Sequence, residues 1–315
     1  MTRLTNILTL VLALQLLLVA GVFWPRSTEG EGTARSALLE LSATEIDRIA
    51  ISDNESSLLL SLTESGWQLP EYHKLPVDGA KVARVLEDLP ALSRGWPVAS
   101  TGGAKDRFEV ADNNFQRKVE FFAGEDESGS LYLGTSPGFR KVHTRIAGSD
   151  PIYAVEFNTF DLPVQPGEWL DKTLLQVRQV DAITGLDYRL RKEGDTWSGD
   201  SDSAPEQAEV DKLFNGLTGL RVTAAADIAT AAVLEEMNAP ATLTVNSGEN
   251  RYEYRLFEIG EAYYIQRSDI PVYFSLGQFD YDRLNDVNAA TLYSSEDDGT
   301  AGEGTGTTGE PVAEG

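Results

Sequence analysis

The chain contains no cysteine in 315 residues. This absence excludes disulfides, thiol nucleophiles, lipid attachment through cysteine and cysteine-based metal sites together. Histidine is almost as scarce, with only His73 and His143, so a His-rich metal centre or a Ser-His relay has little material. Basic charge is also short: 26 Lys plus Arg stand against 50 Asp plus Glu, a net charge of -24. Such a surface repels a phosphate backbone, and nucleic-acid binding is not expected. No Lys or Arg follows Arg283.

Long apolar runs are missing except for one, residues 7–24, broken only by Thr9, Gln15 and Gly21. At the helical rise these residues would span about 27 Å, the thickness of a bilayer core. Arg3 flanks one end, and Trp24-Pro25-Arg26 closes the other with an interfacial aromatic and a helix stop. The run reads as an uncleaved membrane anchor, with a cleaved signal peptide as its rival. Residues 1–26 are thus taken as the anchor and residues 27–37 as a polar linker that lifts an acidic body off the membrane.

The body is organised around a helical pattern that occurs twice. Val82, Val85, Leu86, Leu89 and Leu92 fall at offsets 0, 3, 4, 7 and 10, and Val210, Leu213, Phe214, Leu217 and Leu220 fall at the same offsets. Each set makes one apolar stripe along a helix, over residues 78–92 and 206–220. A tryptophan precedes each stripe, Trp67 and Trp197. Ile46-Asp47-Arg48-Ile49 matches Val180-Asp181-Ala182-Ile183 upstream, and Pro151-Ile152-Tyr153 matches Pro271-Val272-Tyr273 downstream. The order of landmarks predicts two duplicated α+β units, residues 38–165 and 166–290, each a mostly antiparallel sheet packed by one main helix. The tail, residues 291–315, is Gly-, Thr- and acid-rich and reads as disordered.

Finer expectations follow. Asp78 should cap the first helix and Pro90 should end or kink it. Ser203 and Glu206 suggest a capping box for the second, with Pro205 in its first turn. Residues 96–99 suggest a short strand, the Phe160 region a short closing helix, and residues 168–172 the join between units.

The motifs that carry chemistry mostly lack their context. Gly134-Thr135-Ser136-Pro137-Gly138 matches the G-x-S-x-G pattern of serine hydrolases, but Pro137 has no N–H for an oxyanion hole, and a strand, not a helix, should follow. A hairpin turn is the expectation. Gly304, Gly306 and Gly309 match a dinucleotide-binding pattern without a strand before or a helix after. Asp200, Asp202 and Glu206 hint at a calcium loop but lack its central glycine and its length. Trp67 and Trp197 suit core packing more than stacking on a sugar. No catalytic, cofactor-binding or metal-binding residue is assigned, and no cofactor is expected.

Gly66-Trp67-x-Leu69-Pro70, Asp78 with its stripe, Pro151-x-Tyr153, Phe160, and Trp169-x-Asp171-Lys172-x-Leu174-Leu175 before the restart at Val180-Asp181 together resemble the membrane-anchored family catalogued as domain of unknown function 4340. The resemblance covers about residues 38–285. The phrase that often follows the helix in that family is degenerate here, at Arg107-Phe108-Glu109-Val110 and again at residues 236–240. The resemblance implies one or more copies of an α+β unit and genes beside an ABC transporter of the gliding-motility auxiliary type. It brings no catalytic residues. The expectation is a non-enzymatic, single-pass accessory or scaffold protein of an envelope transport complex in a bacterial inner membrane. Its body would be periplasmic and its partners integral membrane proteins, including ABC transporter subunits. The alternative is a periplasmic glycan- or peptide-binding module.

Overall fold

The computed structural model describes Gln15 and residues 37–293. The apolar run apart from Gln15, the linker before Ala37 and the tail from Ser294 lie outside them; Thr291 and Leu292, expected to begin a disordered tail, instead end a short helix with Leu292 fully buried. Among the described residues no helix is long and apolar enough to cross a membrane. The described chain is α+β and divides into two compact units, the first ending at Asp171 and the second beginning at Lys172.

In the first unit, β1 (Arg48–Ser52) and β2 (Ser57–Thr63) pair across a turn that Asp53 builds. Its Oδ1 accepts from the N–H groups of Glu55 and Ser56 at 3.0 and 2.8 Å. An aspartate in this place replaces a main-chain turn bond with a side-chain one. Strands β3 (Gly66–Leu69) and β4 (Leu75–Pro76) complete that flank of the sheet. Then come helices α1 (Gly79–Ala91) and α2 (Gly102–Arg107) and a small hairpin, β5 (Val110–Ala111) with β6 (Asn114–Phe115). The other flank is β7 (Arg117–Ala123), β8 (Asp126–Leu133), β9 (Lys141–Ile146) and β10 (Ile152–Glu156). The strands lie in the order β10-β9-β8-β7-β1-β2-β3-β4, and neighbours run antiparallel throughout.

The second unit is built from β11 (Ala182–Thr184), β12 (Arg189–Glu193), β13 (Thr196–Gly199), α3 (Gln207–Thr218), β14 (Val222–Ala225), α4 (Ile228–Glu236), β15 (Ala241–Ser247), β16 (Asn250–Ile259), β17 (Ala262–Arg267), β18 (Ile270–Leu276), α5 (Gln278–Asn285) and α6 (Ala289–Leu292). Its sheet runs β13-β12-β11-β15-β16-β17-β18-β14. Three hairpin-linked strands lie on one side of the centre and four on the other. The same holds for β3-β2-β1 and β7-β8-β9-β10 in the first unit.

The shared Ile/Val-Asp phrase has a physical reason. Asp47 Oδ2 accepts from the N–H of Gly124, in the β7–β8 turn, at 2.9 Å. Asp181 Oδ2 accepts from the N–H of Gly248, in the β15–β16 turn, at 2.6 Å. Both glycines have positive φ, 62° and 59°, a conformation that leaves the amide exposed for capture.

Asp78 caps α1 as the sequence suggests, accepting from Ala80 and Lys81 N–H at 3.0 and 3.2 Å. Val82, Val85, Leu89 and Leu92 are buried in one cluster with Ile49, Leu60, Val119 and Phe121 of the sheet. Leu86 lies at the margin of the stripe and only packs against that cluster. In α3, Val210, Leu213 and Leu217 are fully buried, whereas Phe214 is half-buried.

Several expectations are corrected. The Ser203–Glu206 capping box does not form: Glu206 itself stands at the N-cap of α3, and its N–H donates to the Leu292 carbonyl at 2.8 Å. Pro205 therefore precedes the helix. Residues 96–99 make one isolated bridge, Ala99 to Ile152, in place of a strand. The boundary expected after residue 165 lies after Asp171, within the join read at residues 168–172, because Trp169 is fully buried in the first unit's core.

Candidate functional site

The G-x-S-x-G residues lie in the connection between β8 and β9. Ser136 is exposed, with its Oγ 2.7 Å from the Gly138 carbonyl oxygen and 2.8 Å from that of Lys141. Its single hydroxyl hydrogen is thus directed at main chain. His143 points inward from β9 and is 7% exposed. Its Nδ1 lies 2.9 Å from Thr135 Oγ1, and its ring centroid is 4.1 Å from that of Phe108. The hydroxyl beside the imidazole is Thr135's, so the motif does not assemble a nucleophile with a base.

Burial holds the His143 pKa below its ordinary value, opposed in part by its hydrogen bond with Thr135. The folded state therefore favours the neutral ring. The resulting stability is present in full above about pH 6.5 and is lost as pH falls through the lower folded value. Taking the protein from about pH 7.5 to about pH 5.5 is expected to lower the urea midpoint more in the wild type than in His143→Gln. Equal shifts would show that burial does not depress this imidazole.

The other candidates disperse. His73 is exposed, at φ 53°, edge-on to Tyr72 with ring centroids 6.0 Å apart. Trp67 is half-buried and packs on the first core; Trp197 is half-buried and meets Phe214 edge-on at 6.5 Å. Asp200, Asp202 and Glu206 are all exposed, and Glu206 stands at the N-cap of α3 without a side-chain capping bond. Among the described residues no three His, Asp or Glu side chains converge to hold a metal ion.

What the first unit does present is an open groove of about 830 Å³. One wall is the last turn of α1, with Asp88, Ala91 and Leu92, continued by the loop that carries Arg94. The other is the start of β9, with Lys141 and the preceding Arg140, and the outer strand β10 with Ala154 and Glu156. Asp161 also lines the groove. Three acids, Asp88, Glu156 and Asp161, stand with three bases, Arg94, Arg140 and Lys141. The groove is therefore locally balanced in a chain of net charge -24.

Three large aromatic side chains are the chain neighbours of lining residues: Trp96 follows Gly95, Phe139 precedes Arg140, and Phe160 precedes Asp161. They are 82%, 89% and 88% exposed. Single exposed apolar residues are ordinary on a protein surface, whereas three large exposed rings on chain neighbours of one groove's lining make that region a candidate contact surface. Sequence reasoning missed this groove because residues 96–99 and the Phe160 region were read only as a short strand and a short closing helix, and nothing marked residues 139–141 as part of a cleft. The Phe160 segment is a one-turn 3-10 helix, Thr159–Asp161, that turns the ring outward.

No curated protein and no solved structure matches the chain. Residues 67–244 match the family model described as Domain of unknown function (DUF4340). That match spans just over half of the 315 residues, and the chain belongs to that family.

Proposed function

We propose that this protein is a non-enzymatic, membrane-anchored accessory or scaffold protein of an envelope transport complex of the ABC type, and that the groove of its first unit holds a partner. The single observation behind this reading is the charge-balanced groove, three of whose lining residues have an exposed aromatic as chain neighbour: Trp96, Phe139 and Phe160. Aromatic side chains supply much of the binding energy at protein interfaces, because they bury large area with few rotatable bonds. The apolar run of residues 7–24 would fix the body beside integral membrane partners on the periplasmic face of an inner membrane. Confinement there raises effective concentration, so one modest contact surface suffices.

The two units are read as a duplication. The matching strand orders and the equivalent jobs of Asp47 and Asp181 support this. The second reading, a glycan- or peptide-binding module, rests on the same exposed aromatics, which would stack on a sugar ring as readily as on an apolar side chain.

Complementation of a deletion strain tests the proposal. The triple variant Trp96→Asp, Phe139→Asp, Phe160→Asp is expected to lose function at normal membrane levels. Ser136→Ala, His73→Ala and His143→Gln are expected to keep it. Inactivation by Ser136→Ala in a normally expressed protein would sink the scaffold reading and reopen a catalytic one. Direct binding of soluble glycans by the wild type, lost in the triple variant, would favour the second reading.

A further inference from the structure

We infer that the groove receives its partner as an added β-strand: an extended, apolar, uncharged segment of another protein lies along β10 and pairs with its main chain. The inference rests on the docking reading above and specifies its mode. β10 is the outermost strand on its side of the first sheet. Antiparallel pairing alternates residues whose main-chain groups face the neighbour with residues whose groups face away. The Ile152 N–H donates to the Ala99 carbonyl at 2.8 Å, and the Ile152 carbonyl accepts from Val98 N–H at 2.7 Å, so Ile152 faces away from β9. By the same alternation Ala154 and Glu156 face away too. Their β9 partners agree, since His143 and Lys141 spend their main-chain groups elsewhere. The His143 N–H goes to Thr135, its carbonyl to Gly134, and the Lys141 N–H to Gly138. Among the described residues nothing pairs with the outward N–H and carbonyl of Ala154 or the outward N–H of Glu156, and both residues line the groove.

The second unit shows the chemistry that this position accepts. β18 holds the same place in its sheet, and its outer side is covered by β14, Val222–Ala225, a short run of small and β-branched residues just after the main helix. In the first unit the stretch after the main helix contains Pro97, which has no N–H to give, and its contact with the sheet stops at Val98. The edge is left open over the half of β10 that borders the groove. The groove's three acids and three bases balance, so it calls for a strand without net charge, and β14 at the equivalent edge is itself uncharged. Open strand edges are otherwise guarded, because they pair with any free strand. Ala154 carries no such guard.

The test selects short linear peptides from a random display library on the purified full chain, with counter-selection on Ala154→Pro. That variant removes an outward N–H and leaves the β9 ladder intact. Trp96→Asp serves as a second variant that does not touch the strand. Selected peptides are expected to alternate apolar residues with period two and to slow hydrogen exchange at the Ala154 and Glu156 amides. They are expected to lose about tenfold or more in affinity to Ala154→Pro. N-methylation at alternate peptide positions should weaken them by a similar factor, and methylation at the intervening positions should not. Peptides with a helical apolar period, or peptides indifferent to every backbone methylation, would overturn the added strand. So would exchange protection of Ala154 and Glu156 in the peptide-free protein, which would mean that a second copy or the chain's own terminal residues already fill the edge. The two readings fail separately: loss of complementation in the aromatic triple variant but not in Ala154→Pro refutes only the added strand, whereas full complementation by the triple variant refutes docking itself.

Discussion

Trp169→Ala is expected to destabilise the first unit by about 3–5 kcal/mol, among the largest losses available to a single substitution in this chain. The indole is fully buried in the cluster that joins α1 to the sheet. Its Nε1–H donates to the Pro163 carbonyl at 2.8 Å, and the Lys81 ammonium lies 4.7 Å from its ring centroid. The main chain around it is equally committed: the Trp169 carbonyl accepts from the N–H of Asp78, the residue that caps α1, at 2.8 Å. Truncation would leave a cavity at the start of that helix and the part-buried Pro163 carbonyl without its donor. Trp169→Phe keeps most of the apolar area but not the donor, and should lose about 1–3 kcal/mol. Urea unfolding of the full chain, with hydrogen exchange read separately over peptides from each unit, checks this. A loss below about 1 kcal/mol for Trp169→Ala, or a loss shared equally by peptides of the second unit, would show that Trp169 does not hold the first core together.

Trp169 also marks the limit of what periodicity reveals. The stripes of α1 and α3 were legible because a helix buries one face and repeats it every three to four residues. Val82, Val85 and Leu89, and again Val210, Leu213 and Leu217, are buried as that spacing requires. Trp169 has no periodic neighbours, and its burial comes from a turn, Pro166–Glu168, that folds it back onto α1. Leu86 and Phe214 belong to the stripes by spacing, yet each lies at a margin, because the sheet covers less than the full apolar face. Helix α2 and the β5–β6 hairpin escaped notice since Gly102, Gly103, Asp112 and Asn113 dominate segments too short to show a period.

The groove was illegible for a different reason. An aromatic residue is read as buried by default, and only the tertiary structure decides that Trp96, Phe139 and Phe160 are left outside. An open strand edge likewise has no sequence signature. β10 and β18 begin with the same Pro-x-Tyr phrase, and what distinguishes them is whether a distant segment comes to lie alongside. Pro97 was the one available clue, since a proline within a candidate strand removes a ladder donor.

Gly134→Ala should be the other severe substitution, at about 3 kcal/mol or failure of the first unit to fold. A Cβ built on Gly134 would stand 1.9 Å from the Phe108 carbonyl oxygen and 2.4 Å from that of Glu109. Both obstacles are main chain, so no rotamer change relieves them. The obstructing turn is itself constrained. Glu109 has φ 54°, the Thr135 N–H donates to the Phe108 carbonyl at 2.9 Å, and the Gly134 N–H donates to the His143 carbonyl at 2.9 Å. Moving the turn away would break the bonds that seat β9 and, through it, β10 and the groove. Gly138, the other glycine of the same pattern, has open space at its Cβ position, and Gly138→Ala should stay within about 0.5 kcal/mol of the wild type. A serine nucleophile on a strained elbow would need tight backbone approach around the serine itself. Here the tight approach is at the first glycine, against a neighbouring turn, and Ser136 is exposed. Thermal or urea unfolding of the two alanine variants decides the matter. Equal tolerance at both glycines would mean that the turn at Phe108 does not pack against the sheet as described, and the support of the groove by β9 would have to be drawn differently.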